Sequence, residues 1–101
     1  MELTVTKENG IVTIALSGRL DTVTAPQAEK AVDDNVSDAT QLVFDLRDLT
    51  YTSSAGLRVF LKAQKRMNRQ GSMVMRNVCP EILEIFEVTG FSDFLTIEAA
   101  G

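Results

Sequence analysis

The run Gln41-Leu42-Val43-Phe44-Asp45-Leu46 is nearly continuous in apolar residues, and eight positions later Ser54-Ala55-Gly56-Leu57-Arg58 opens a pattern of a different period. A short, almost uninterrupted apolar run reads as a strand in the middle of a sheet, covered on both faces. From Ser54 onward, Leu57, Phe60, Leu61, Ala63 and Met67 recur at helical spacing until Gly71, and Ser72 to Met75 offers a second strand. Strand, helix and strand in that order make a βαβ unit with parallel strands. Sites in such sheets gather beyond the carboxyl ends of the strands, so the segment Asp48 to Gly56 is expected as a loop at the mouth of the sheet. Two adjacent serines, Ser53 and Ser54, stand where the helix begins. The first amides of a helix lack intrahelical acceptors and carry the positive end of its dipole, so an anion is well received there. A hydroxyl at such a place points to a phosphorylation switch, and its plain structural alternative is a helix cap.

Outward from this unit the periods remain legible. Leu3 and Val5 alternate with Thr4 and Thr6, Asn9-Gly10 supplies a tight turn, and Val12, Ile14 and Leu16 alternate again, which predicts a hairpin with one buried face. Thr24 and Gln27 have capping-box spacing, and Ala28, Ala31, Val32 and Val36 follow at helical steps, so a first helix is expected from about Ala25 to Val36. Pro80 opens a third helix with Ile82, Leu83, Ile85 and Phe86 on one side and Glu81, Glu84 and Glu87 on the other, closed by Gly90. Phe94, Leu95 and Ile97 fit either an edge strand or a short helix. The order of elements predicts a single domain over residues 1–101, of the α/β class, with a mixed sheet of about four to five strands and helices mainly on one face.

Composition narrows the function classes. A chain of 101 residues, 45% hydrophobic and 24% charged, is a globular domain able to bury a core. A net charge of −4 with one Tyr and no Trp disfavours nucleic acid as a partner. Met1 to Gly10 lack the basic and apolar regions of a secretory signal, and no apolar run reaches membrane-spanning length, so a cytoplasmic location without membrane contact is expected. With no His in the chain a Ser-His-Asp relay cannot be assembled, and no phosphate-binding glycine loop or metal-ligand spacing occurs. An enzyme is therefore not expected, nor a cofactor or metal. Asp33-Asp34 reads as a solvated helix face. Cys79, between Val78 and Pro80, reads as a small core filler.

Arg58, Lys62, Lys65, Arg66 and Arg69 fall on one outer face of the second predicted helix. That face reads as a solvated surface opposite the core stripe. On an acidic protein it also has the charge to steer an acidic partner toward Ser54.

The run Asp45-Leu-Arg-Asp-Leu-Thr-Tyr-Thr-Ser-Ser-Ala-Gly-Leu-Arg58, preceded by Leu16-Ser-Gly-Arg-Leu-Asp21, resembles the STAS domain of bacterial anti-sigma factor antagonists over essentially the whole chain. The resemblance implies the SpoIIAA-like fold. It implies that Ser54, two positions before the motif glycine Gly56, is the phosphoacceptor, with Ser53 and Thr52 as secondary candidates. Asp21 is implied to lie near the acceptor, and the partner surface to comprise Asp21, Ser53, Ser54, Ala55, Gly56 and Arg58. It implies further that the unphosphorylated form binds a serine-kinase anti-sigma factor and frees a sigma factor for transcription, that phosphorylation of Ser54 ends this, and that a serine phosphatase resets it. ATP and magnesium would belong to the kinase. A non-switching structural subunit of a lipid-transport ABC assembly, with Ser54 a mere cap, is the alternative on the same fold.

Overall fold

A computed structural model describes residues 1–99. It contains strands β1 (Glu2–Glu8), β2 (Ile11–Leu20), β3 (Gln41–Thr52), β4 (Ser72–Val78) and β5 (Ile97–Ala99), and helices α1 (Ala25–Asn35), α2 (Ser54–Met67) and α3 (Pro80–Val88). The strands lie side by side in chain order, with β1 and β2 antiparallel and every later neighbour parallel. The expected hairpin is present, and Asn9 and Gly10 take the left-handed conformation (φ 52° and 82°) that a tight two-residue turn requires. A 3-10 turn at Phe91–Asp93 precedes β5; of Phe94, Leu95 and Ile97, Ile97 opens the edge strand, whereas Phe94 and Leu95 lie between the two elements.

All three helices pack on one face of the sheet. Ile14 and Leu16 of β2, Phe44 and Leu46 of β3, and Met75 of β4 meet Ala28 of α1, Phe60 and Met67 of α2, and Ile82 and Phe86 of α3 in one buried cluster. Its centre is a chain of edge-to-face aromatic contacts, Phe44 to Phe60 at 5.0 Å and Phe60 to Phe86 at 6.0 Å between ring centroids. Val43 and Val74 point to the opposite face, outside that cluster, yet neighbouring strands leave them only 2% and 5% exposed. Central position in the sheet, without helices on the second side, is enough to bury them. Val59 and Gln64 join Leu57, Phe60, Ala63 and Met67 on the buried side of α2, whereas Leu61 is half-buried at its margin. On α3 only Ile82 and Phe86 are fully buried. Cys79 is half-buried at the start of α3, its Sγ 3.7 Å from the Leu49 carbonyl oxygen.

Strand β3 is longer than its apolar run. Pairing with β2 skips one residue of β3 between Ala15 and Ser17 and another between Gly18 and Arg19. Each skip is a bulge that inserts an extra residue and turns the strand about its axis. As a result Leu46, Leu49 and Thr52 are all buried although each is three positions from the next. The expected loop from Asp48 to Gly56 is thus strand up to Thr52 and helix from Ser54, with Ser53 alone between them.

The entry to α1 also departs from the capping box expected of Thr24 and Gln27. The Thr24 hydroxyl accepts from the Asp21 N–H at 2.9 Å and donates to the Arg19 carbonyl at 2.9 Å, so it is not free to cap the helix. The Asp21 carboxylate turns the chain, accepting from the backbone N–H groups of Thr24 (3.1 Å) and Val23 (3.0 Å). At the other end of the sheet, Ser72 N–H donates to the Thr40 carbonyl at 3.1 Å, and a Cβ on Gly71 would drive into that carbonyl group, 2.7 Å from its carbon.

Two stability measurements follow from these contacts. Gly71→Ala, at an exposed position, is expected to cost about 1–3 kcal/mol in denaturant unfolding, because the backbone it abuts cannot yield as a side chain would; a loss below about 0.5 kcal/mol would contradict that close approach. The hydrogen bond from the Thr24 N–H, with those from Val23 and the Thr24 hydroxyl and the nearby Arg19 charge, holds Asp21 below the ordinary carboxylate range despite some desolvation. A depressed folded-state value means that the stabilisation is complete above the unfolded value of about 3.9 and is lost as the pH falls through the folded one. The stability gap between wild type and Asp21→Asn should therefore be open at neutral pH and close on acidification below about pH 4; a gap independent of pH would show that the charge is not the stabilising element.

Candidate functional site

The carboxyl ends of β2 and β3 and the amino end of α2 converge at one edge of the molecule. Leu20 pairs with Thr52, and Ser53 N–H donates to the Leu20 carbonyl at 2.9 Å, which brings Asp21, the residue that follows β2, beside Ser53. Leu57 N–H makes the first bond of α2, to the Ser53 carbonyl at 3.0 Å. The amides of Ser54, Ala55 and Gly56 precede it and have no acceptor within the helix.

Gly56 sets how closely this end of α2 is seated. It is buried, and an added Cβ would stand 2.8 Å from Leu20 Cγ and clash with Thr52 Oγ1. Any side chain here would lift the first turn from the strand ends. Gly56 thus shapes the surface without being part of it.

The three consecutive hydroxyl residues are placed differently. Thr52 is 3% exposed, and its hydroxyl donates to the Ser53 carbonyl at 3.2 Å. Ser53 is the N-cap residue, but its Oγ is buried and makes no hydrogen bond. Ser54 is the first helical residue, not the cap, and is exposed. The cap reading of Ser54 therefore does not describe it, and of the three hydroxyls its side chain is the one open to solvent.

Around Ser54, Asp21 and Ala55 are half-buried and Arg58 is exposed one helical turn farther on. Val23, in the turn shaped by Asp21, is 86% exposed. The Arg19 guanidinium lies 4.2 Å above the ring of Tyr51, which is itself partly exposed. Val23, Arg19 and Tyr51 escaped the sequence reading; an isolated Val in a polar turn was the one available signal. Asp45 and Asp48, which shortly precede the serines in the sequence, lie elsewhere. Both border a hollow on the open face of the sheet with Glu2 and Arg47, and Asp45 accepts from Arg47 N–H and Asn77 Nδ2. Asp21 is the carboxylate that the fold brings to the site.

The cationic face of α2 is partly neutralised. Lys62 pairs with Glu29 and Arg66 with Asp33, both across to α1, while Asp34 pairs with Lys30. Arg58, Lys65 and Arg69 make no ion pair among the described residues. Among those residues no cluster of His, Cys, Asp and Glu could hold a metal, and no helix is long and apolar enough to cross a membrane.

The fold recurs in known proteins. The family model of the STAS domain matches residues 2–100. BtrV of Bordetella bronchiseptica is 37% identical over 93 residues, covering 90% of this chain and 80% of that protein. The anti-sigma-B factor antagonist of Listeria monocytogenes is 33% identical over 89 residues, covering 86% and 78%. The structure of the Bacillus cell fate determinant SpoIIAA in its phosphorylated form superposes with a TM-score of 0.76 at 17% identity, over 97% of this chain and 92% of that one. With a mixed five-stranded sheet, three helices on one face and these relatives, the chain belongs to the STAS family of anti-sigma factor antagonists.

Proposed function

We propose that this protein is a switchable antagonist: unphosphorylated, it binds a serine-kinase anti-sigma factor through the amino end of α2 and frees the sigma factor, and phosphorylation of Ser54 by that kinase ends the association until a serine phosphatase restores it. The observation that carries this reading is the exposure of Ser54 beside two hydroxyls that are turned inward. Its support from relatives is the antagonist role that several of them carry in their names, and the phosphorylated state in which SpoIIAA was solved.

The contact surface is proposed to comprise Asp21, Ser54, Ala55 and Arg58, with Val23 as an exposed apolar anchor, while Ser53 and Gly56 position the turn from beneath. A phosphate on Ser54 adds about −1.5 to −2 charges. Free amides of the first turn can receive it, as can the helix dipole, with a combined contribution of about 0.3–2 kcal/mol. Arg58, four residues on and unpaired, lies on the same helical face. The fold itself therefore accommodates the modification. A partner surface packed against Val23 and Ala55 does not, because it must desolvate a dianion that already has its own ligands. Moving a complex from nearly all bound to nearly all free takes a differential of roughly 5.5 kcal/mol, and burial of an unmatched charge is large enough to supply it.

Incubating the protein with the kinase-type anti-sigma factor of its own genome and ATP, followed by peptide mass mapping, should place a single phosphate on Ser54. Ser54→Ala should abolish labelling and retain binding, and Ser54→Asp should weaken binding. Ser53→Ala removes a hydroxyl that makes no cap bond, so it should change stability by less than about 0.5 kcal/mol and leave labelling intact. A label on Ser53 or Thr52, or equal partner affinity for the phosphorylated and unphosphorylated forms, would overturn the proposal.

A further inference from the structure

Helices α1 and α2 run side by side in the same direction, since Glu29 pairs with Lys62 and Asp33 with Arg66, four residues farther along both. Between them lies a hollow of about 320 Å³ floored by Val32, Val59 and Ala63, all buried. Charged side chains surround it: Glu29 and Asp33 from α1, and Lys62, Lys65, Arg66 and Arg69 from α2 and the turn that follows it. The two carboxylates neutralise Lys62 and Arg66, which leaves Lys65 and Arg69 in excess. Both are exposed. The amino end of the hollow leads toward the Asp21 turn and Ser54, which stand at the starts of the two helices.

A structural purpose accounts for only part of this charge. Cations in the last turn complement the helix dipole, which covers Lys65 and Arg66. That effect does not reach Arg58 and Lys62 in the preceding turns. Arg58, Lys62 and Arg66 follow at steps of four, as do Lys65 and Arg69, so each stands over a like charge, an arrangement that weakens a helix on its own. On a molecule of net charge −4 the fold thus concentrates positive charge against its own preference. An acidic partner is repelled by the rest of such a molecule and drawn to this face, which orients it. Nucleic acid is a poor match, because Glu29 and Asp33 interrupt the cations along the path of a phosphate backbone and no aromatic ring lines the hollow.

We propose that the hollow between α1 and α2 receives an acidic segment of the kinase-type anti-sigma factor, as an anchor separate from the Ser54 contact; this rests on the function proposed above. Carboxylates of that segment meet Lys65 and Arg69. Lys65 is eleven residues beyond Ser54, about 16 Å along the helix axis. Exposed charges that far apart are largely screened at physiological salt, where the Debye length is about 8 Å. The anchor is therefore blind to the phosphate. It strengthens the complexes of both forms by the same factor, and a contribution equal in both states shifts nothing between them. Tightness is set by the hollow, and the choice between forms by Ser54.

The test measures the affinity of the full-length chain for the anti-sigma factor of its own genome at low and at high salt. Lys65→Glu with Arg69→Glu should weaken binding roughly tenfold or more at low salt and much less at high salt. The loss should be the same factor when Ser54→Asp is added. Lys65→Gln with Arg69→Gln, which removes the charges without reversing them, should lie between. In phosphorylation assays the double reversal should raise KM for this chain and leave kcat in place. Lys7→Glu with Arg47→Glu makes the same change in net charge from positions on the sheet and should alter neither. Unchanged affinity of the reversed variant, an equal loss in the variant at Lys7 and Arg47, or a loss that vanishes beside Ser54→Asp would overturn the proposal. Labelling of Ser54 with unaltered KM in the reversed variant would remove the anchor and leave the switch standing. A wild type that neither binds nor is labelled would remove both.

Discussion

The rest of the site depends on how tightly the first turn of α2 is pressed against the ends of β2 and β3. Ser53 N–H bonds to the Leu20 carbonyl, and Gly56 lies so close to Leu20 and Thr52 that no side chain fits. With the helix seated this closely, its axis and the position of its first residue are determined by strand ends that belong to the sheet. The bulges of β3 serve the same geometry. They turn the strand so that Thr52 faces inward at its last position, and the chain then has one residue in which to pass from strand to helix. Ser53 takes that position with its hydroxyl turned in, and Ser54 emerges on the surface.

A site fixed by backbone contacts is rigid, and rigidity suits a modification that acts at a surface. Phe60 of α2 lies between Phe44 and Phe86 in the aromatic chain at the centre of the core, so α2 cannot tilt without disturbing packing that spans β3 and α3. The helix is also tied to α1 by Lys62 with Glu29 and Arg66 with Asp33. These exposed pairs contribute little stability each, typically below about 1 kcal/mol. They do, however, direct two of the five cations toward α1 and leave Arg58 on the face of Ser54.

Much of this was legible in the sequence because period and turn chemistry are local properties. Asn9-Gly10 marked the hairpin, the apolar stripe of α2 marked its length, and Pro80 and Gly90 bracketed α3. Strand β3 beyond Leu46 was not legible, since two bulges replace alternation with a three-residue spacing that matches neither a strand nor a helix. The role of Thr24 was misread because a capping box is a pattern of residue types, and the hydroxyl had a better acceptor and donor in Arg19 and Asp21. Which of Thr52, Ser53 and Ser54 faces solvent depends on where the strand yields to the helix, and that is set by contacts with β2 from thirty residues away. The separation of Asp45 and Asp48 from the serines has the same origin: both sit on the strand face that turns away from the helices.

The central claim is that a phosphate on Ser54 alters what the surface can bind while leaving the fold in place. Comparing ¹⁵N–¹H spectra of the protein before and after stoichiometric phosphorylation tests it most directly. Shifts confined to the first turn of α2, the Asp21 turn and Arg58 are the predicted result. Shifts that spread through Phe44, Phe60 and Phe86 would contradict it, because the switch would then operate by repacking the core.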